Sequence, residues 1–123
     1  MSSVSKYFIC SIDEIALPGS KEFSIEQDEQ NIEGFIVRYQ GGVSVYLNQC
    51  PHTGASLNWQ PDQFLSYDES YIQCSIHGAI FQFSDGMCIH GPCVGQKLVN
   101  LEFELDADRV FVKPKPKQRY SPQ

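Results

Sequence analysis

Four side chains in this 123-residue chain have types and spacings suited to holding a metal. Cys50 and His52 stand two apart in "NQCPHTGASLNW", and Cys74 and His77 stand three apart in "IQCSIHGAIFQF". Each pair joins a soft thiolate to a nitrogen donor. Gly54 and Gly78 follow the histidines and permit the tight backbone paths that wrap a metal closely. With only three histidines in the chain, two such mirrored pairs are not a background pattern. Two sulfur and two imidazole donors suit tetrahedral zinc or an iron–sulfur cluster. Structural zinc of this composition commonly takes both cysteines from one knuckle and both histidines from one helix, whereas here each segment brings one of each. A [2Fe–2S] cluster accommodates mixed pairs, with both cysteines on one iron, both histidines on the other, and one ligand to each iron from each loop.

Strands must position these loops. Period-two runs dominate the chain: "KYFICSIDEI" alternates loosely, "KEFSIEQ" is a short strand, and "IEGFIVRYQGGVSVYLNQC" reads as strand, tight turn at Gly41-Gly42, strand. "AIFQFSDGMCI" carries a hairpin turn at Asp85-Gly86, and "QKLVNLEFELDADRVFVKP" reads as two strands joined near Asp106 to Asp108. Helix signals are nearly absent: only the region around Ser66 to Ser70 could make a turn of helix, and it has no long amphipathic pattern. The result is an all-β domain of short antiparallel strands, a sandwich or partly open barrel. Both Cys/His segments begin where a strand ends, and loops held by strands are where binding groups usually lie.

Length allows one domain with one main core. The expected division is a domain over 1–113, with its metal-binding loops at about 48–94, and a basic, Pro-rich tail over 114–123. No run approaches the ~18 apolar residues of a membrane span, and the N-terminus lacks an export pattern, so a cytoplasmic location is expected. Five cysteines are an odd number for a disulfide framework and read more readily as metal ligands in a reducing compartment. The net charge is -6, yet residues 1 to 112 carry five Lys/Arg against fifteen Asp/Glu, and "KPKPKQRYSPQ" returns four positive charges. A nucleic-acid surface needs a basic face that this acidic body lacks.

Cys50-Pro51-His52-Thr53-Gly54, with Cys74-Ser75-Ile76-His77-Gly78-Ala79-Ile80-Phe81, Gly86 and Gly91-Pro92-Cys93, resembles the Rieske family of [2Fe–2S] domains. The resemblance runs from roughly Tyr7 to Val112. It implies a Rieske-type antiparallel β-sandwich with a smaller cluster-binding subdomain, holding one [2Fe–2S] cluster per chain. It also implies Cys50 and Cys74 on the buried iron, His52 and His77 on the outer iron, and Pro92 in a loop covering the cluster. The 21 residues between the loops, 53 to 73, form a slightly long gap, so an insertion is expected around "NWQPDQFLSYDES". Some members carry a disulfide between the cluster loops; the matching positions here, Ala55 and Ile76, cannot form one, which places the chain nearer soluble ferredoxins and oxygenase-associated domains. A serine and a tyrosine that donate hydrogen bonds in high-potential members correspond to Ala79 and Phe81. Their absence implies a potential in the lower part of the range of about -150 to +300 mV.

The implied function is a one-electron carrier with no substrate chemistry of its own and no catalytic residue. Its expected partners are a flavin-containing reductase and a terminal oxygenase or other acceptor, with neither nucleic acid nor membrane, and it is expected to be a monomer when isolated. A small relay subunit of a larger oxidoreductase, as in nitrite-reductase-like members, is one alternative, and a zinc-stabilised β interaction module is another. Outside the four ligands, Cys88 and Cys93 read as separate apolar fillers. A redox-sensitive pair is the alternative, and a second metal site with His90 and Cys10 is another. His90 is expected at a surface or strand edge. Trp59, Tyr67 and Tyr71 are expected to pack, with a docking patch as the alternative.

Overall fold

A computed structural model describes residues 6–27, 29–51, 56–58, 60, 62–75 and 78–114. Thr53, Gly54, Ala55, Trp59, Ile76, the tail from 115 onward, and both candidate ligands His52 and His77 lie outside the described residues.

The described residues form nine strands: β1 (Tyr7–Ser11), β2 (Gly19–Gln27), β3 (Gln30–Tyr39), β4 (Gly42–Leu47), β5 (Ile72–Gln73), β6 (Ile80–Phe81), β7 (Cys88–His90), β8 (Phe103–Asp106) and β9 (Arg109–Val112). They make three antiparallel three-stranded sheets, ordered β1-β9-β8, β2-β3-β4 and β5-β6-β7. The all-β antiparallel expectation is met.

The middle sheet is apolar on both faces, which is why "FIVRY" and "VYL" lose the clean alternation of a half-exposed strand. Side chains point alternately to opposite faces of a strand. On β3, Phe35 and Val37 join one buried cluster and Ile36 joins the other; on β4, Tyr46 joins the first while Val45 and Leu47 join the second. The second cluster packs the middle sheet against β1 and β9 through Cys10, Val110 and Val112. The first packs it against the small β5-β6-β7 sheet through Ile72, Phe81 and Cys88. The Tyr46 hydroxyl donates to the Phe83 carbonyl at 2.6 Å, tying the middle sheet to the turn between β6 and β7.

Local expectations fare unevenly. Asp85-Gly86 does form the β6–β7 turn: Gly86 takes φ +72°, and the Asp85 carboxylate accepts the Met87 N–H at 2.9 Å. The β3–β4 hairpin turns at Gln40-Gly41, one residue earlier than expected, because Tyr39 pairs with Gly42. Residues 66–70 make no helix. Glu69 sits at φ +62°, outside helical space, and the Asp68 carboxylate accepts from Ser66 Oγ and the Ser70 N–H to hold a turn instead. The helical turn is at Ile12–Glu14, a 3-10 turn begun by the Glu14 carboxylate accepting the Ser11 N–H at 2.9 Å. Arg38 finishes it by donating to the carbonyls of Ile12 and Ile15. Among the described residues no helix is long and apolar enough to cross a membrane.

Candidate metal centre

Cys50 and Cys74 begin two loops, one after β4 of the middle sheet and one after β5 of the small sheet. Both are buried, at 2% and 1% exposure, and both belong to the cluster that joins the middle sheet to the small sheet.

The first loop is braced by Asn48. Its backbone N–H donates to the Glu33 carbonyl on β3 at 2.9 Å, its side-chain oxygen accepts the Leu57 N–H at 2.8 Å, and its amide donates to Asn58 Oδ1 at 2.9 Å. In the excursion that follows, Asn58 and Asp62 meet β2 at its edge. There the Asp62 carboxylate accepts the Glu22 N–H at 2.8 Å, occupying an edge donor that would otherwise face water. Phe64 anchors the excursion by stacking on Phe35, with ring centroids 4.1 Å apart.

The second loop closes tightly. Cys74 N–H donates to the Ala79 carbonyl at 2.9 Å and Gly78 N–H to the Cys74 carbonyl at 3.0 Å, with Gly78 at φ +69°. That left-handed conformation is the one glycine adopts without a Cβ penalty. Ser75 N–H donates to the Leu57 carbonyl at 2.8 Å, so the two loops are bonded to each other.

The Gly91-Pro92-Cys93 loop packs on the second. Gly91 has φ +109°, and a Cβ placed there would lie 2.8 Å from the Ala79 Cα. A larger residue there would force one of the two backbones to shift.

The described half of the proposed ligand set is therefore two buried thiols on mutually bonded loops. Among the described residues no group of three or more His, Cys, Asp and Glu side chains gathers as for a metal ion. Ala79 and Phe81 are buried and carry no hydroxyl.

The other cysteines divide. Cys10 lies in the cluster on the opposite face of the middle sheet from Cys88 and Cys93, so it is not available to a second site with them. Burial pushes its thiol pKa up. Cys88 and Cys93 are not separate fillers: their Sγ atoms are 3.0 Å apart. Burial, the Cys88 contact and nearby Cys50 all raise the Cys93 pKa. His90 is exposed on β7, as expected of an edge histidine. Tyr67, expected to pack, is fully exposed, and Tyr71 is 38% exposed. Sequence reading missed the bracing role of Asn48; an Asn two residues before a loop cysteine, able to hydrogen-bond local backbone, was the available signal.

A family model described as the Rieske [2Fe-2S] domain matches residues 5–111. No curated protein matches the chain by sequence. Among solved structures, the ferredoxin of carbazole 1,9a-dioxygenase from Nocardioides aromaticivorans IC177 is 21% identical over 89% of this chain and 99% of its own, with a TM-score of 0.64. The terminal oxygenase of carbazole 1,9a-dioxygenase from Novosphingobium sp. KA1 is 17% identical, with 94% of this chain matching 31% of that chain at a TM-score of 0.68. A chain from a complex of reduced oxygenase and oxidized ferredoxin in carbazole 1,9a-dioxygenase is 20% identical over 95% of this chain and 100% of its own, at a TM-score of 0.68. At these identities the likeness is one of fold.

Proposed function

The chain belongs to the Rieske [2Fe-2S] domain family, and on that premise we propose that it is a one-electron carrier, a Rieske-type ferredoxin that delivers electrons to a terminal oxygenase. Cys50, His52, Cys74 and His77 are the proposed ligands of one [2Fe–2S] cluster. The observation that carries this reading is the burial of Cys50 and Cys74 on two loops joined by the Ser75–Leu57 hydrogen bond. Such a donor set fits the group. Cysteine thiols lose their protons when they bind metal, and a water-poor setting braced by backbone bonds would keep the thiolates at fixed positions.

When bound, the cluster supplies one-electron redox chemistry. The protein's own part is to shield and to tune. Burial of Cys50 and Cys74 keeps water from the sulfurs. Ala79 and Phe81 donate no hydroxyl hydrogen bond, and fewer donors toward sulfur favour a lower potential. The acidic body suits a brief, electrostatically steered encounter with a basic partner face. A flavin-containing reductase is the proposed donor, and the solved ferredoxin and ferredoxin–oxygenase structures support an oxygenase as acceptor. A relay role inside a larger oxidoreductase is the second reading, favoured by the match to part of a terminal oxygenase chain.

Anaerobic titration tests the carrier directly. One reducing equivalent per chain, followed by reoxidation by a terminal oxygenase at a rate that falls with added salt, is the expected result. Tight stoichiometric co-purification with a large subunit would favour the relay, and colourless protein holding one zinc would favour a metal-stapled interaction module.

A further inference from the structure

Cys88 and Cys93 are chemistry-bearing side chains that the carrier reading leaves unused. Cys88 lies on β7 opposite Phe81, and both thiols are 1% exposed. Their sulfurs are 3.0 Å apart, and the Cys88 thiol also reaches the His90 carbonyl oxygen at 3.3 Å. Around Cys93 the chain is open: 89–92 and 94–97 are exposed or half-buried, with Val94 61% exposed, and Cys93 alone in that run is buried. One side chain thus pins the loop. Three backbone bonds help it: Cys88 N–H to the Gln96 carbonyl at 2.8 Å, Gly95 N–H to the Cys88 carbonyl at 3.2 Å, and Gln96 N–H to the Cys93 carbonyl at 2.9 Å. A segment with so little buried apolar surface opens locally at far less cost than global unfolding.

We propose that Cys88 and Cys93 are a disulfide-forming pair that locks the Gly91-Pro92-Cys93 loop, with a low-molecular-weight disulfide as oxidant. On local opening, Cys93 gives its proton to water and its thiolate attacks one sulfur of the oxidant. A mixed disulfide forms and one small thiolate leaves. As the loop closes, the Cys88 sulfur, deprotonated in turn, attacks the Cys93 sulfur, forms the Sγ–Sγ bond and expels the second small thiolate. Two protein thiols are oxidised, one external disulfide is reduced to two thiols, and the two protons released end on those thiols. The sulfurs have only ~1 Å to travel to reach a bond length of about 2.0 Å.

The lock has a definite target. Because Gly91 lies against the Ala79 backbone, fixing the loop to β7 also holds it on the loop that starts at Cys74. No step uses the proposed cluster, so the pair is tested independently of the carrier reading.

The test treats the full chain anaerobically with oxidised glutathione, then quenches in acid, denatures, alkylates with iodoacetamide in the presence of a chelator, and maps the peptides by mass. Three of the five cysteines should be alkylated, with Cys88 and Cys93 in one cross-linked peptide that dithiothreitol reverses. Amide exchange at Gly95 and Gln96 should slow about tenfold or more in the oxidised chain. Glutathione left on Cys93, another pairing, or alkylation of all five cysteines would overturn the proposal. Unchanged exchange in a chain carrying the Cys88–Cys93 bond would overturn the locking role.

Discussion

Replacing Gly91 by alanine puts a methyl group where the loop bearing Pro92 meets the loop that starts at Cys74. Two costs add. At φ +109° the backbone is in a region that L side chains rarely adopt, worth about 1–2 kcal/mol. The new Cβ would also sit 2.8 Å from the Ala79 Cα and 3.1 Å from its Cβ, both on a hydrogen-bonded loop, so overpacking adds about 1–3 kcal/mol. Gly95 is the internal control, since it has φ +93° and a methyl group there would meet no atom within 4 Å, so Gly95→Ala should carry only the backbone cost. At about 4 °C per kcal/mol for a domain of this size, Gly95→Ala should lower Tm by about 4–8 °C and Gly91→Ala by about 8–20 °C. Thermal unfolding followed by circular dichroism on the two variants side by side is the assay. Equal Tm losses in the two variants would refute the claim that these loops are packed backbone to backbone.

Other outcomes follow from the same contacts. Tyr46→Phe should cost about 1–2 kcal/mol in denaturant unfolding, because it leaves the Phe83 carbonyl without its 2.6 Å donor. Burial raises the Tyr46 pKa from 10.0 to about 12, so the unfolded chain releases this proton first; the tyrosine's contribution is complete below pH 10 and lost as pH rises toward 12. Unfolding curves across that window should show the loss in the parent and lack this component in Tyr46→Phe. Cys50→Ser and Cys74→Ser should each lose the cluster, measured as iron per chain, and a full iron complement in both would remove these residues from the ligand set. The reduction potential should lie below about +150 mV at neutral pH by redox titration; a higher value would contradict the inference drawn from Ala79 and Phe81.

The sequence spoke most clearly where one physical rule dominated. The strand reading placed β3 and β4 on either side of one tight turn although burial on both faces blurs their alternation, "KEFSIEQ" caught all of β2 but its first two residues, and Asp85-Gly86 announced its turn because few other residues tolerate φ +72°. It spoke less clearly where tertiary contacts decide. The shift of the first hairpin to Gln40-Gly41 follows from the pairing register of Tyr39 with Gly42, which composition does not encode. The one region allowed a turn of helix, 66–70, has no long amphipathic pattern, whereas Ser11 and Glu14 carry the Ser-x-x-Glu capping pattern that starts helices. The Cys88–Cys93 contact was only one option at spacing five, since the fold of the intervening loop sets the sulfur separation. Tyr67 shows the converse: an aromatic residue in a loop gains burial only if another element reaches it, and none does among the described residues.

The most direct measurement is iron and acid-labile sulfide counted on protein purified without oxygen, with electron paramagnetic resonance on the same sample before and after dithionite. The account predicts two irons and two sulfides per chain, silence when oxidised, and on reduction a rhombic signal whose average g lies below that of all-cysteine clusters. One zinc and no sulfide, or a reduced signal of the all-cysteine kind, would contradict it.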